Sequence, residues 1–275
     1  DRMLQYLEYP FFRQALVAVL LLSVCSAVIG TYIISRRLVA ISGGVTHACF
    51  GGLGLGYFLG VNPVFMAALF AIGSSVGVEV LSRRFSLRED SAIAVVWALG
   101  MALGVLFVFM TPGYVPELNA FLFGNILTVS SSDLWAFGIF AAVLAVFIAW
   151  KRRQIVAVAF DSDFSAVSGL PVRFVSYAMT VLVAVCIVLT IRLVGIMLLM
   201  SMMSLPMITA EVFWHRFTPI ALVSAVISAF ASFAGLFLST VVDVPCSALI
   251  VIILAVLFVV AKIAAAFRVG VNGQE

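Results

Sequence analysis

The fold class this sequence predicts is all-α and polytopic, a single domain of membrane-spanning helices over residues 1–275. Three observations predict it. Hydrophobic residues make up 65% of the chain against 10% charged, with a mean hydropathy of +1.28, whereas a soluble domain carries about 25% charged residues. The apolar residues are gathered into runs of membrane-crossing length. The basic residues fall in alternate loops between those runs. A soluble enzyme, a nucleic-acid binder and a secreted disulfide scaffold are all excluded by this balance. The net charge of +3 comes without a basic tract dense enough to follow phosphates.

A crossing helix needs about 20 apolar residues. The first run, 11–35, is long enough, ends at Arg36 and Arg37, and lacks a small-residue cleavage pattern, so it reads as a helix that stays. Runs 38–60 and 62–82 follow, the second closing on Arg83, Arg84 and Arg88. Run 90–111 leads into a segment, 111–133, that is too apolar for a plain loop and is expected to fold back along the membrane surface. Run 133–150 ends at Lys151, Arg152 and Arg153. Runs 174–191 and 194–213 form one apolar stretch interrupted only by Arg192 and Gly195, so they read as a hairpin, with eight full spans plus a half helix as the alternative. Runs 218–241 and 245–267 complete about nine spans. With the N-terminus outside, 12 of the 15 basic residues lie in inside loops. The expected orientation is therefore N-out, C-in.

Residues 151–173 make the longest inside loop. Within it, Asp161 to Gly169 reads as a short helix ended by Gly169-Leu170-Pro171. Composition alone leaves two uses open for it, docking of a soluble partner or an amphipathic helix lying on lipid. The four cysteines, Cys25, Cys49, Cys186 and Cys246, have no CxxC spacing and read as small buried hydrophobes. No GxxxxGK[ST] or HExxH motif occurs, and no Ser, His and acid set can be assembled for an intramembrane hydrolase.

Residues 42–60 hold seven of the 20 glycines. Gly52, Gly56 and Gly60 form a small-residue stripe for close helix approach. Gly43, Gly51 and Gly54 share a stripe with His47, which predicts free volume around the imidazole. An ionisable residue at membrane depth is a functional candidate, and imidazole is a common metal ligand. The bland reading is a histidine bonded to a carbonyl of a neighbouring helix. Met200, Met203 and Met207 share a face near Pro206, either as core packing or as soft thioether donors in a gate. Glu79 is expected to pair with Arg83 four residues on, and His215 to be a solvated loop residue.

With these residues in place, the chain resembles the permease subunit of bacterial ABC-type zinc/manganese/iron importers, the ABC-3 family. The resemblance rests on Tyr9-Pro10-Phe11, Arg36-Arg37-Leu38 with Thr46-His47-Ala48, Leu87 to Ile93, Phe123 to Ser130, Phe160 to Pro171, Arg192 to Leu198, and Leu205-Pro206 with Ala210. It implies a fold similar to the chelated-iron and cobalamin ABC permeases. It also implies a bacterial cell membrane location and a homodimer with its pathway at the dimer axis. Two cytoplasmic ATPases and an extracytoplasmic metal-binding protein are the implied partners, with ATP used by the ATPases and no cofactor on this chain. Phe160, Asp161, Asp163, Phe164, Gly169 and Pro171 match the segment that couples to the ATPase. Asp243 matches an Asp-x-Pro, and with Glu117 and Asp133 it could line an acidic outer mouth. His47 matches the histidine of Gly-Asp-x-x-x-His, but Gly43 stands where the family commonly has the aspartate. The alternatives are import of a metal chelate and a gradient-driven secondary transporter.

Overall fold

The computed structural model describes residues 8–113, 121, 124 and 126–272, with side chains through residue 267. Every regular element among them is helical: α1 Pro10–Ser35, α2 Val39–Leu59, α3 Pro63–Phe85, α4 Glu89–Met110, α5 Ser131–Phe160, α6 Ser162–Val167, α7 Val172–Met202, α8 Leu205–Glu211, α9 Phe217–Val242 and α10 Cys246–Asn272. A 3₁₀ turn at Ile126–Thr128 precedes α5.

The helix starts follow from local chemistry. Asn62 caps α3, its side chain accepting the amide protons of Val64 and Phe65, and Pro63 occupies the first position. Ser130 and Asp133 form a reciprocal capping box on α5. Inside the helices, Ser23 donates to the Val19 carbonyl at 2.7 Å and Thr31 to the Ala27 carbonyl at 2.6 Å. Each hydroxyl thereby finds a partner where lipid offers none.

In lipid, apolarity does not draw helices together, so close packing has to. α1 and α2, rich in Ala, Ser and Gly, are 72% buried over their spanning windows and the aliphatic stretch Val172–Glu211 is 67% buried, whereas α4, α5 and α10 are 17%, 17% and 11% buried. The first three form the centre and the last three the exposed shell. α2 is clamped on two sides. A Cβ on Gly51 or Gly54 would come within 2.8 or 2.7 Å of the carbonyl oxygens of Gly100 and Gly104 in α4. On the other side, Gly52 abuts Met66 and Ala67 of α3, and Gly56 abuts Pro63. The stripe expected to be free volume is thus a second packing seam, and only its Gly43 end opens towards side chains. Gly60 packs against nothing; it ends α2 in the left-handed conformation with φ 66°.

Among the described residues, eight helices are long and apolar enough to cross a membrane, one of them the 40-residue stretch Val172–Glu211. Straight, that stretch would span about 60 Å, twice a hydrocarbon core. It is not straight. Gly195 has φ 76° and ψ 175°, a backbone conformation open to glycine. Arg192, just before it, reaches Asp133 at the start of α5 with an N···O distance of 3.1 Å. After the reversal, a break at Met203–Ser204 and helix α8, the chain returns to Thr218, which accepts from Arg152 near the other end of α5 at 2.9 Å. The sixth and seventh runs are therefore a hairpin turning at Gly195, which makes nine apolar segments running between the two faces among the described residues. Pro10 and the end of α10 lie at opposite faces. Pro206 sits in the first turn of α8, where its missing N–H costs nothing. The helix breaks at Met203–Ser204, before the proline and not at it.

Arg36, Arg37, Arg83, Arg84, Arg88, Lys151, Arg152, Arg153, Arg173 and Arg216 share one face of the bundle, called here the basic face.

Candidate functional site

His47 lies on α2, half-buried against Trp97 of α4. Its Nδ1 is 2.7 Å from the Gly43 carbonyl oxygen one turn earlier. The carbonyl can only accept, so Nδ1 carries the proton, and in the neutral ring the lone pair is on Nε2. The ring stacks on Trp97 with centroids 4.4 Å apart and planes 22° from parallel. These two contacts fix the imidazole and leave Nε2 as its donor atom. The carbonyl belongs to the histidine's own helix rather than to a neighbour.

At Gly43, a Cβ would meet the Met200 methyl at 3.1 Å and the Trp97 ring at 3.6 Å. The room left by the absent side chain is occupied by these two groups. The three methionines therefore separate. Met200 is half-buried with its methyl against Gly43 of α2, whereas Met203 and Met207 are buried, and the side chain of Met207 packs on Gly30 of α1. Pro206 is buried with Met203 and Met207.

On the face opposite the basic one, Asp133 is paired with Arg192 and occupied by its capping box, so it is not a free carboxylate. It borders a cavity of about 380 Å³ with Cys49, Thr128 and Arg192. Asp243 is exposed, ends α9 with φ 57°, and lines a different cavity of about 580 Å³ with Thr240, Leu198 and Cys246. The two aspartates do not converge, and Glu117 lies outside the described residues. In the 111–133 segment, Gly124, at φ 55°, fits its backbone against Val194 and Gly195 at the hairpin turn.

At the basic face, Asp161 ends α5 and starts α6. Its carboxylate accepts the Phe164 amide proton at 2.9 Å, and its carbonyl accepts from the Ser165 hydroxyl at 2.7 Å. Gly169, at φ 77°, closes the helix, Leu170 donates back to the Ser165 carbonyl at 3.1 Å, and Pro171 opens α7. Phe160 at the end of α5 and Phe164 and Val167 of α6 are 54%, 70% and 89% exposed. Asp163 is exposed beside them. The segment presents an apolar ridge to the outside of the bundle.

Sequence reasoning missed several partners. Trp97 as the ring beneath His47 had a signal in Gly100 and Gly104, a small-xxx-small pair that docks α4 on α2. Arg36 pairs with Glu89 at 3.2 Å with its side chain only 9% exposed. Glu79 pairs with Arg83 as expected, and Ser176 of α7 joins them, donating to Glu79 at 2.6 Å. His215 is exposed, as expected for a loop residue.

Over 258 aligned residues the chain is 30% identical to the manganese transport system membrane protein MntC of Halalkalibacterium halodurans, covering 94% of this chain and 88% of that protein. It is 27% identical to the MntC of Listeria monocytogenes, over 93% and 91% of the two chains. In fold it is similar to a chain of PsaBC from Streptococcus pneumoniae, solved with a Fab, with a TM-score of 0.81, 24% identity and coverage of 94% and 95%. It is also similar to an inward-facing transporter assigned to the metal-chelate type of ABC transporters, with a TM-score of 0.76, 16% identity and coverage of 96% and 89%. The model of the ABC 3 transport family matches residues 8–265, and it is to this family of multi-pass membrane proteins that the chain belongs.

Proposed function

We propose that the chain is the permease of an ATP-binding-cassette importer that carries a divalent transition-metal ion, zinc, manganese or iron, through the bacterial plasma membrane. The observation that carries the site is His47, whose imidazole is locked by Gly43 and Trp97 with Nε2 left as the donor. One neutral nitrogen binds weakly, which suits a transit site that must also release its ion. The basic loops orient the chain N-out, C-in.

The remaining roles follow from the same reading. With no GxxxxGK[ST] on this chain, ATP is hydrolysed by separate ATPase subunits, two of them for a permease homodimer. The apolar ridge of Phe160 and Phe164 seats in the ATPase, and Asp161 holds the ridge in shape from within. ATP-driven movement shifts the permease because that contact differs between its conformations. An extracytoplasmic metal-binding protein delivers the ion to the Asp243 face. The chelate reading gains no support at Gly43, since Met200 and Trp97 fill the room there.

Reconstitution with the ATPase and binding protein in liposomes tests this. ATP-dependent entry of one of the free ions is expected, together with its loss in His47→Ala. A folded complex that hydrolyses ATP yet moves no free ion would overturn the reading.

A further inference from the structure

A groove of about 1210 Å³ opens at the basic face between the end of α5 and the start of α9. Lys151, Arg152, Arg153 and Arg216 line it, and no carboxylate does. Among the described residues, the ion pairs are Arg36–Glu89, Arg83–Glu79, Arg88–Asp90 and Arg192–Asp133, so none of these four cations is neutralised. Arg152 is turned into the groove, donating to Thr218, and Arg216 precedes an α9 whose first turn has neither a side-chain cap nor an acidic residue. That helix start adds partial positive charge. Four like charges held together call for an anion.

Depth identifies the anion. The apolar run 133–150 of α5 is about 27 Å long at helical rise, close to the hydrocarbon thickness. Lys151 therefore begins at headgroup level. Trp150, 69% exposed, occupies the interfacial position that tryptophan favours, with the Lys151 ammonium 4.3 Å above its ring. A pocket of unpaired cations at headgroup level, beside an interfacial tryptophan, matches the phosphate of a membrane lipid.

We infer that this groove binds the headgroup of an anionic phospholipid of the inner leaflet. The inference is independent of the metal and rests only on the basic face being the inner one.

The test uses the full permease–ATPase complex, purified in a nonionic detergent and titrated with phosphatidylglycerol or phosphatidylcholine while retained lipid is counted by native mass spectrometry. The wild type is expected to retain phosphatidylglycerol with a preference of about tenfold or more. Arg152→Gln with Arg153→Gln and Arg216→Gln should bring the two lipids level, while Lys at the same positions should restore the preference. Arg152→Gln alone should give a partial loss and guards against misfolding of the triple variant. A preference unchanged by the Gln variants would overturn the site. Displacement of the lipid by millimolar inorganic phosphate would reassign it to a soluble phosphate ligand. No lipid retained in the assembled complex, but retention once the ATPase is removed, would reassign the groove to the ATPase interface.

Discussion

The Arg192 guanidinium lies 3.1 Å from the Asp133 carboxylate, tying the start of α5 to the hairpin turn at Gly195. The aspartate is 16% exposed and the arginine 47%. A half-exposed pair of this kind contributes about 1 kcal/mol or less. Asp133 also closes the α5 capping box, worth about 1 kcal/mol on its own. Asp133→Ala should therefore destabilise the protein more than Arg192→Ala does, and the double variant should lose less than the two added together. Unfolding in a double-mutant cycle reads this directly. Equal and additive losses would show that the pair contributes nothing.

The α2–α4 seam makes a sharper prediction, because it separates glycines that touch from those that do not. At Gly54 a Cβ would lie 2.7 Å from the Gly104 carbonyl oxygen, whereas at Gly73 in α3 it would meet nothing within 4 Å. Gly54→Ala should cost about 1–3 kcal/mol as the helices are forced apart. Gly73→Ala should be neutral or slightly stabilising, by up to about 1 kcal/mol, because alanine favours the helix. Denaturation of the two variants side by side checks the contrast. A Gly54→Ala protein as stable as Gly73→Ala would mean the seam is looser than described.

Hydropathy made the spans legible because lipid imposes one requirement, apolar length, on every crossing segment. It placed α3 and α4 within a few residues and set the hairpin turn between Arg192 and Gly195. Hydropathy misjudged α5, which continues from Trp150 through Lys151–Arg153 to Phe160. A helix leaving the membrane keeps its hydrogen-bond ladder whatever its side chains. Which faces meet was hidden, since helices apolar all round carry no stripe to read. Hence Trp97 beneath His47 and the split of Met200 from Met207 emerged only from packing. His47 itself was legible as one of two histidines, set within a spanning run.

For the coupling segment, α6 separates two roles that sequence joined. Asp161 is engaged by the Phe164 amide, so its carboxylate shapes the helix, whereas Phe164 is 70% exposed and free to touch a partner. Phe164→Ala should weaken ATPase association and metal uptake roughly tenfold, with thermal stability unchanged, as expected for a buried interface anchor. Asp161→Ala should lower stability by about 1 kcal/mol by removing the cap. Asp161→Asn, which keeps an accepting oxygen, should recover most of it. Normal uptake by Phe164→Ala would remove the segment from the ATPase contact.

The His47 site yields the last prediction. With Nδ1 held by the Gly43 carbonyl, only Nε2 can take an ion, and the Met200 methyl lies against Gly43 one turn earlier. Histidine is required for its nitrogen and not for its stacking, so His47→Phe should keep the ring on Trp97 and the fold yet lose metal uptake by tenfold or more. Met200→Leu preserves volume and should leave stability within about 1.5 kcal/mol. If the thioether assists the ion, this variant should lower uptake of softer ions such as zinc more than that of manganese, because sulfur favours soft cations. Uptake of the competing ions by liposomes at equal free concentration measures the ratio. Transport by His47→Phe at the wild-type rate would take the imidazole off the pathway. An unchanged zinc-to-manganese ratio in Met200→Leu would leave Met200 as packing around the histidine.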